Sequence, residues 1–323
     1  MNENTNRTPV TKGMILAGGL GTRFLPATLA VAKELVTVGN KPILMYHLAD
    51  LKKAGVTDVL IVGNKLKEDS FRNFLNPPVE YLEKVEADGK MSYLEEFYDI
   101  MQNMSITYVN QDDEAFVFNG QVYQNEYAGN RGSAIAIGAG KYWANGEPFI
   151  CVNGDDLCFY EDGKSMSKEV IDVYNATGDN VVYGERLPRE LVYKYSAMVF
   201  GEPIKGIKKA AKMLDIVEKP PKGTEPSTVM GFGRYILTSD FFDRIFKVKQ
   251  RGNGEYNMTD VLQSLAQSGL CSTIEFDGTY FDCGSIAGYS CANAYIGLNN
   301  KESAEFVKQT LLDMLGDYYL KEK

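Results

Sequence analysis

The segment Gly13-Met14-Ile15-Leu16-Ala17-Gly18-Gly19-Leu20-Gly21-Thr22-Arg23 constrains the fold of this chain more than any other. Met14 to Ala17 is an apolar run of strand length. Gly18, Gly19 and Gly21 follow at once, so the strand must end and the backbone must turn tightly. Backbone N–H groups in such a turn point into a concavity, and nests of this kind bind phosphate. Arg23 adds a planar fork of donors suited to phosphate oxygens. Lys33-Glu34-Leu35 brings a second cation ten residues on. The loop reads as a polyphosphate cradle of neither common kind. No Gly-Lys-Ser/Thr follows as a P-loop requires, and Gly19-x-Gly21 lacks the third glycine of the dinucleotide fingerprint. On glycines alone, an ordinary strand-to-helix turn would account for the segment equally well.

The rest of the composition narrows the classes. At 323 residues and 44% apolar, the chain suits a single α/β unit with additions. Its net charge of −9 argues against nonspecific binding to nucleic acid or an anionic membrane. An anionic substrate must therefore be met by local cations. No apolar run is long enough to span a bilayer. Residues 1–12 are polar, lack a hydrophobic signal core and are expected to form a loose tail. Cys151, Cys158, Cys271, Cys283 and Cys291 are odd in number and scattered, which fits buried reduced thiols in a cytoplasmic protein. The one histidine, His47, lies at the apolar start of a predicted helix and is expected near the surface or the core edge. A His-rich zinc site is excluded, and the chemistry should need no imidazole base.

Strands alternate with helices along the chain, which implies a mostly parallel sheet covered on both faces. Strands are expected at Met14–Ala17, Asp58–Val62, Ile106–Asn110, Phe149–Val152, Val181–Glu185, Ala197–Phe200, Met213–Val217, Val229–Ile236, Thr273–Phe276 and Tyr280–Phe281. Helices are expected at Pro42–Ala54, Lys67–Leu75, Val79–Met101 with a break at Asp88-Gly89, Ser133–Tyr142, Asp240–Lys247, Met258–Ser268 and Glu302–Leu320. Between Gln111 and Gly129, aromatic and β-branched residues flank Asn119-Gly120, which predicts a β-hairpin. The fold class is thus α/β: a Rossmann-like, doubly wound, mostly parallel mixed sheet flanked by helices, with a small hairpin insertion near 112–128 and C-terminal helices. The expected division is a tail over 1–12, a catalytic domain over 13–290 and a helical segment over 291–323.

Ligands of doubly wound sheets sit beyond the carboxyl ends of the strands. The glycine loop, Gln111 and Asp155 all fall at such ends. The series Gly21-Thr22-Arg23-x-Leu25-Pro26-Ala27-Thr28, Lys33-Glu34, Gly154-Asp155, Val217-Glu218-Lys219-Pro220, Gly233-Arg234-Tyr235, Gly254-Glu255-x-x-x-Thr259-Asp260 and Asp282-Cys283-Gly284 with Gly288-Tyr289 resembles the bacterial UTP–glucose-1-phosphate uridylyltransferases of the sugar-phosphate nucleotidyltransferase family. Each motif is short, but their order is specific, and together they run from residue 13 to about 290.

The resemblance implies Mg²⁺-dependent transfer of a uridylyl group from UTP to glucose 1-phosphate, by a homo-oligomer, either a dimer or a tetramer. It implies Asp155 and Asp282 as the Mg²⁺ ligands, a donor set this cation favours together with phosphate oxygens. Ala17, Gly18, Gly19, Gly21, Thr22 and Arg23 would hold the triphosphate, and Lys33 would neutralise charge near the α-phosphate or the departing pyrophosphate. Glu34 and Gln111 resemble a base-reading pair, with Gln124 as the alternative to Gln111 because of the insertion. Gly132 would let the base or ribose approach, Glu218 would accept from sugar hydroxyls, Lys219 would grip the sugar's phosphate, and Gly233 would offer a backbone contact. Arg23, Lys33, Asp155 and Lys219 are the expected catalytic residues.

Three positions depart from the family pattern: Leu29 and Ala32 near the loop, and Ser196 where a glycine would face the sugar. They leave open the same chemistry with dTTP or another nucleotide and another hexose 1-phosphate. A sugar-nucleotide-binding regulatory protein without catalysis is the alternative of a different class.

Overall fold

A computed structural model describes residues 7–160 and 162–321; residues 1–6 of the expected tail lie outside it. The strands in chain order are β1 (Lys12–Leu16), β2 (Thr37–Val38), β3 (Lys41–Pro42), β4 (Asp58–Gly63), β5 (Ser105–Asn110), β6 (Ala115–Phe118), β7 (Gln121–Gln124), β8 (Phe149–Asn153), β9 (Asp156–Phe159), β10 (Asn180–Arg186), β11 (Ser196–Pro203), β12 (Ala210–Glu218), β13 (Val229–Leu237), β14 (Cys271–Glu275) and β15 (Thr279–Asp282). Nine of them form one sheet in the order β11-β12-β14-β10-β13-β8-β1-β4-β5. β8, β1, β4 and β5 are parallel neighbours, as are β10 and β14. β13, between β8 and β10, and β12, between β11 and β14, run antiparallel to their neighbours and make the sheet mixed, as expected.

Both faces of the sheet are buried, which explains why its strands read as continuous apolar runs rather than alternating ones. Met14, Leu60, Val62, Phe149 and Cys151 pack into one core layer. Their alternates Ile15, Val59, Ile61, Ile150 and Val152 pack into the other. Helices over Ile43–Lys53, Met166–Thr177, Ser133–Gly138 and Met258–Gln267 cover the faces. Among the described residues no helix is long and apolar enough to cross a membrane.

The hairpin over β6 and β7 forms as expected, with Asn119 at φ 50° and Gly120 at φ 76°, as a type I′ turn requires. Phe116 and Phe118 turn into the core, and Tyr123 stacks on Tyr142 at 4.5 Å. Buried Asn125, just past β7, donates to the Gln111 carbonyl at 3.1 Å and the Asp113 carbonyl at 2.8 Å. The insertion is thereby tied to the end of β5.

Several elements escape the sequence reading, among them β2, β3 and the helix over Met166–Thr177, and two of the others bear on the site. β9 begins at Asp156, where two consecutive aspartates read as a turn, and pairs with β15 so that Asp156 faces Asp282. Buried Asp156 is accommodated because the Tyr280 hydroxyl donates to it at 2.7 Å and the Asn153 amide at 2.8 Å. A helix over Ile286–Asn299 has apolar and small residues all round, so it shows no stripe. It runs across residue 290 and packs through Ala292 on Val38, Ile43, Leu157 and Cys283. Cys151, Cys271 and Cys283 are buried thiols as expected, whereas Cys158 is half-buried and Cys291 is exposed.

Candidate functional site

A cavity of about 750 Å³ opens at the carboxyl ends of β1, β4, β5 and β8, lined by Gly18, Gly19, Lys33, Gln111, Gly132 and Asp155 among the residues anticipated. Asn64, Lys65, Asp112, Asn130, Arg131, Asn153 and Glu255 line it as well. Of these seven only Glu255 stands in one of the quoted motifs, Gly254-Glu255-x-x-x-Thr259-Asp260, where it carried no expected role, and the other six carry no signature of their own.

The glycine loop is held from three sides. The Asn64 amide at the end of β4 donates to the Gly18 carbonyl at 2.7 Å. The Thr28 hydroxyl donates to the Gly21 carbonyl at 2.9 Å. Gln111 lies across Gly18 so closely that a Cβ there would stand 2.5 Å from its Oε1. Gln111 therefore reaches the cavity, while Gln124 lies exposed on β7 and does not line it. Of the two glutamines, Gln111 and not Gln124 lines the cavity.

Gly132 sits at φ +115°, and a Cβ on it would fall 2.2 Å from the Tyr256 carbonyl oxygen. Gly132→Ala is expected to cost about 1–3 kcal/mol in backbone strain before the clash is counted. The loop that carries Asn130 and Arg131 must shift, so binding of the nucleotide that the resemblance implies should weaken together with the melting temperature. Calorimetric titration and a thermal melt check this; a variant matching wild type in both would refute it.

The charges beside the cavity pair with each other. Lys33 Nζ lies 2.5 Å from Asp155 Oδ2 and 3.4 Å from Glu34 Oε1. Burial opposes the Lys33 charge, but Asp155 and Glu34 outweigh it and hold its pKa above the ordinary lysine value. Arg23 Nη1 lies 3.8 Å from Asp282 Oδ2. A Cβ on Gly284 would stand 2.3 Å from Asp155 Oδ2, 3.0 Å from Asp282 Oδ1 and 3.0 Å from Arg23 Nη2. Both carboxylates thus converge on one point, a donor set that fits a hard divalent cation completed by phosphate oxygens. Among the described residues no cluster of three or more acidic, His or Cys side chains could hold a metal ion by itself.

Glu34 has an unexpected place. It is fully buried behind the cavity wall, and neither carboxylate oxygen has a hydrogen-bond partner within the protein. Burial pushes its pKa up to about 7, with Lys33 offsetting part of the rise. Ala17 is likewise buried, whereas Thr22 is exposed on the 3₁₀ turn Thr22–Phe24. Asp156, next to Asp155, is pushed up to about 7 by burial and by the neighbouring carboxylate.

The expected sugar residues lie beyond the cavity lining, on β11, β12, β13 and the turn after β12. Glu218 Oε2 accepts from the Thr259 hydroxyl at 3.1 Å. Lys219 is largely exposed and adopts φ +46°. Ser196 sits opposite Glu218, but its buried hydroxyl is engaged by the Gly231 backbone, 3.3 Å from the amide and 3.4 Å from the carbonyl. It faces β13, a strand that β11 does not pair with. Gly233, at φ +55°, lies over Asp156.

His47 contradicts the expectation of a surface or core-edge position. It is fully buried, 3.1 Å from the Gly154 carbonyl oxygen and 3.0 Å from Arg234 Nη2. Burial and then the Arg234 charge hold its pKa well below the ordinary histidine value.

A mixed, mainly parallel sheet with a glycine loop, two cations and two converging carboxylates at its carboxyl edge defines a phosphate-handling α/β protein. The nucleotidyl transferase family model matches residues 12–297, and the chain belongs to that family. A UTP–glucose-1-phosphate uridylyltransferase of Pseudomonas aeruginosa is 32% identical over 280 residues, 87% of this chain and 93% of that protein. A UDP-glucose pyrophosphorylase structure complexed with UDP-glucose superposes with a TM-score of 0.76 at 27% identity, covering 90% of this chain and all of the other. The UTP-bound enzyme of Acinetobacter baumannii gives 0.79 at 25% identity, covering 94% and 99%.

Proposed function

We propose that this protein transfers a uridylyl group from UTP to glucose 1-phosphate, releasing pyrophosphate and UDP-glucose, with Mg²⁺ as cofactor, in the cytoplasm and as a homo-oligomer. The observation that carries the site assignment is the meeting of Gly18, Gly19, Lys33, Gln111 and Asp155 around one cavity at the carboxyl edge of the sheet. The relatives named for this reaction, aligned over most of their length, support the substrate pair.

The chemistry suits a chain with one buried histidine. A phosphate oxygen of the sugar 1-phosphate is already deprotonated at neutral pH. It attacks the α-phosphorus of UTP, a P–O bond forms, and the bond to the β-phosphate oxygen breaks as pyrophosphate leaves. No proton has to be removed, so catalysis reduces to positioning and charge neutralisation. The Gly18–Gly21 amides and Arg23 hold the triphosphate, and Lys33 faces the charge that moves onto pyrophosphate. Gln111 reads the uracil edge, and Gly132 leaves room for the nucleoside. Glu218 accepts from sugar hydroxyls, Lys219 grips the sugar's phosphate, and Gly233 offers its backbone. Asp155 and Asp282 would hold Mg²⁺, which when bound neutralises phosphate oxygens. Glu34 acts from behind the wall: its charge stays next to Lys33, and direct contact with the base would require its side chain to swing out.

Pyrophosphate release is the test, using a panel of nucleoside triphosphates and sugar 1-phosphates with Mg²⁺ and with chelator. Release confined to UTP with glucose 1-phosphate and abolished by chelator is the expected result. Release with a different pair would overturn the substrate assignment and keep the mechanism. Binding of UDP-glucose without release from any pair would overturn catalysis.

A further inference from the structure

The single histidine is the polar centre of a buried network that joins the two halves of the site. Arg234, on β13, is 2% exposed and His47 is 0% exposed. Arginine can only donate, so His47 Nδ1, 3.0 Å from Arg234 Nη2, must accept. The ring proton then sits on Nε2, which donates to the Gly154 carbonyl at 3.1 Å. The Gly154 amide donates to the Leu16 carbonyl at 3.0 Å, so residue 154 is pinned from both sides immediately before Asp155. Arg234 Nη1 donates to the Gly233 carbonyl at 3.2 Å. Asp50 anchors the far end: its carboxylate is 3.5 Å from Arg234 Nε and accepts from the Ser165 and Ser167 hydroxyls at 2.7 and 2.6 Å.

Resting on the roles proposed above for Asp155 and Gly233, we infer that His47 is a positioning residue that holds the Asp155 turn and, through Arg234, the Gly233 backbone in fixed register. Its two ring nitrogens serve the two halves separately: Nε2 the metal-binding turn, Nδ1 the sugar floor. The tautomer is fixed by the guanidinium, and the burial that keeps the ring neutral agrees with it. Loss of a hydrogen-bonded group behind a metal ligand typically costs about 10–100-fold in metal affinity or activity.

The test uses the fact that this is the chain's only histidine. Full-length protein labelled with ¹⁵N-histidine gives a single imidazole. Protonated Nε2 and unprotonated Nδ1 are expected in the free protein, a result independent of any substrate. A ring protonated on Nδ1 would overturn the inference without touching the proposed reaction. Two variants then separate the halves. His47→Asn keeps an acceptor near Arg234 and loses the donor to Gly154. Mn²⁺ affinity, read by electron paramagnetic resonance with UTP present, and kcat should fall about 10–100-fold, with KM for glucose 1-phosphate spared. His47→Gln keeps the donor and loses the acceptor, so KM for the sugar phosphate should rise while Mn²⁺ affinity is spared. If both variants fold and match wild type, or if all readouts fall together in step with the melting temperature, His47 merely fills space and the inference fails. Should neither variant fold, the tautomer together with a shift of the imidazole resonance on adding Mg²⁺ and UTP decides: no shift would overturn it. A protein whose pyrophosphate release required a different nucleotide would be titrated with that nucleotide instead.

Discussion

Asp155→Ala is expected to lower kcat by about 10³-fold or more, with the fold intact. The estimate follows from losing one of two carboxylates that converge on one point, since electrostatic groups aimed at transferring phosphates contribute several kcal/mol each. The fold should survive because the Asp155 side chain is partly solvent-accessible and its turn is held by backbone: the Asp155 carbonyl accepts from Cys283 N at 2.9 Å, and Gly154 is bonded to Leu16. The substitution also removes the nearer of the two carboxylates beside Lys33. Lys33 then has only Glu34 within 4 Å among the described residues, and the two should draw together. UTP binding in chelator should therefore change far less than turnover. Pyrophosphate release and a UTP titration, each with and without Mg²⁺, measure the two effects. A near-normal kcat would remove Asp155 from the site.

Much of this site was legible because its parts are local. A strand that ends in glycines, an Asn-Gly hairpin turn and a carboxylate at a strand end each carry their signal within a few residues. Position at a carboxyl edge then follows from the parallel order of β8, β1, β4 and β5. What was illegible depends on distant partners. His47 and Arg234 are 187 positions apart, and nothing near either of them announces the other. Asp156 reads as a turn until Tyr280, from a strand more than a hundred residues away, supplies its donor. Ser196 reads as an obstruction in front of the sugar until β13, a strand that β11 does not pair with, brings the Gly231 backbone to its hydroxyl. Glu34 is expected at the base only because, with Gln111, it resembles the family's base-reading pair, and that resemblance carries no information about which way its side chain turns. Adjacent residues on a 3₁₀ turn point in different directions, and Glu34 points inward.

Lys33→Met should cut kcat/KM by about 10²–10³-fold, the range seen when one preorganised donor to a developing charge is lost. Methionine keeps most of the volume of the lysine stem, which is 14% exposed, so the loss is one of charge. The effect on stability has a sign set by Glu34. In wild type its pKa is about 7, raised by burial and partly restrained by Lys33. Without that cation the pKa climbs further. Below pH 7 the buried carboxyl is protonated in both proteins and this difference vanishes. As pH rises through 7, wild-type Glu34 ionises beside Lys33, whereas the variant must ionise it unpaired or keep it protonated. The folded variant then holds a proton that the unfolded chain, with its ordinary carboxyl, has released, so its stability falls with rising pH. The loss of Lys33's own charge does not blur this window, because a lysine pKa raised by its partners keeps its contribution intact up to pH 10 and beyond. The melting temperature of Lys33→Met should therefore drop further below wild type at pH 8.5 than at pH 6. The double variant Lys33→Met/Glu34→Gln should flatten that dependence while leaving the reaction slow. An equal gap at both pH values would mean that Glu34 is not the buried charge Lys33 compensates, and that the pair acts only on the substrate.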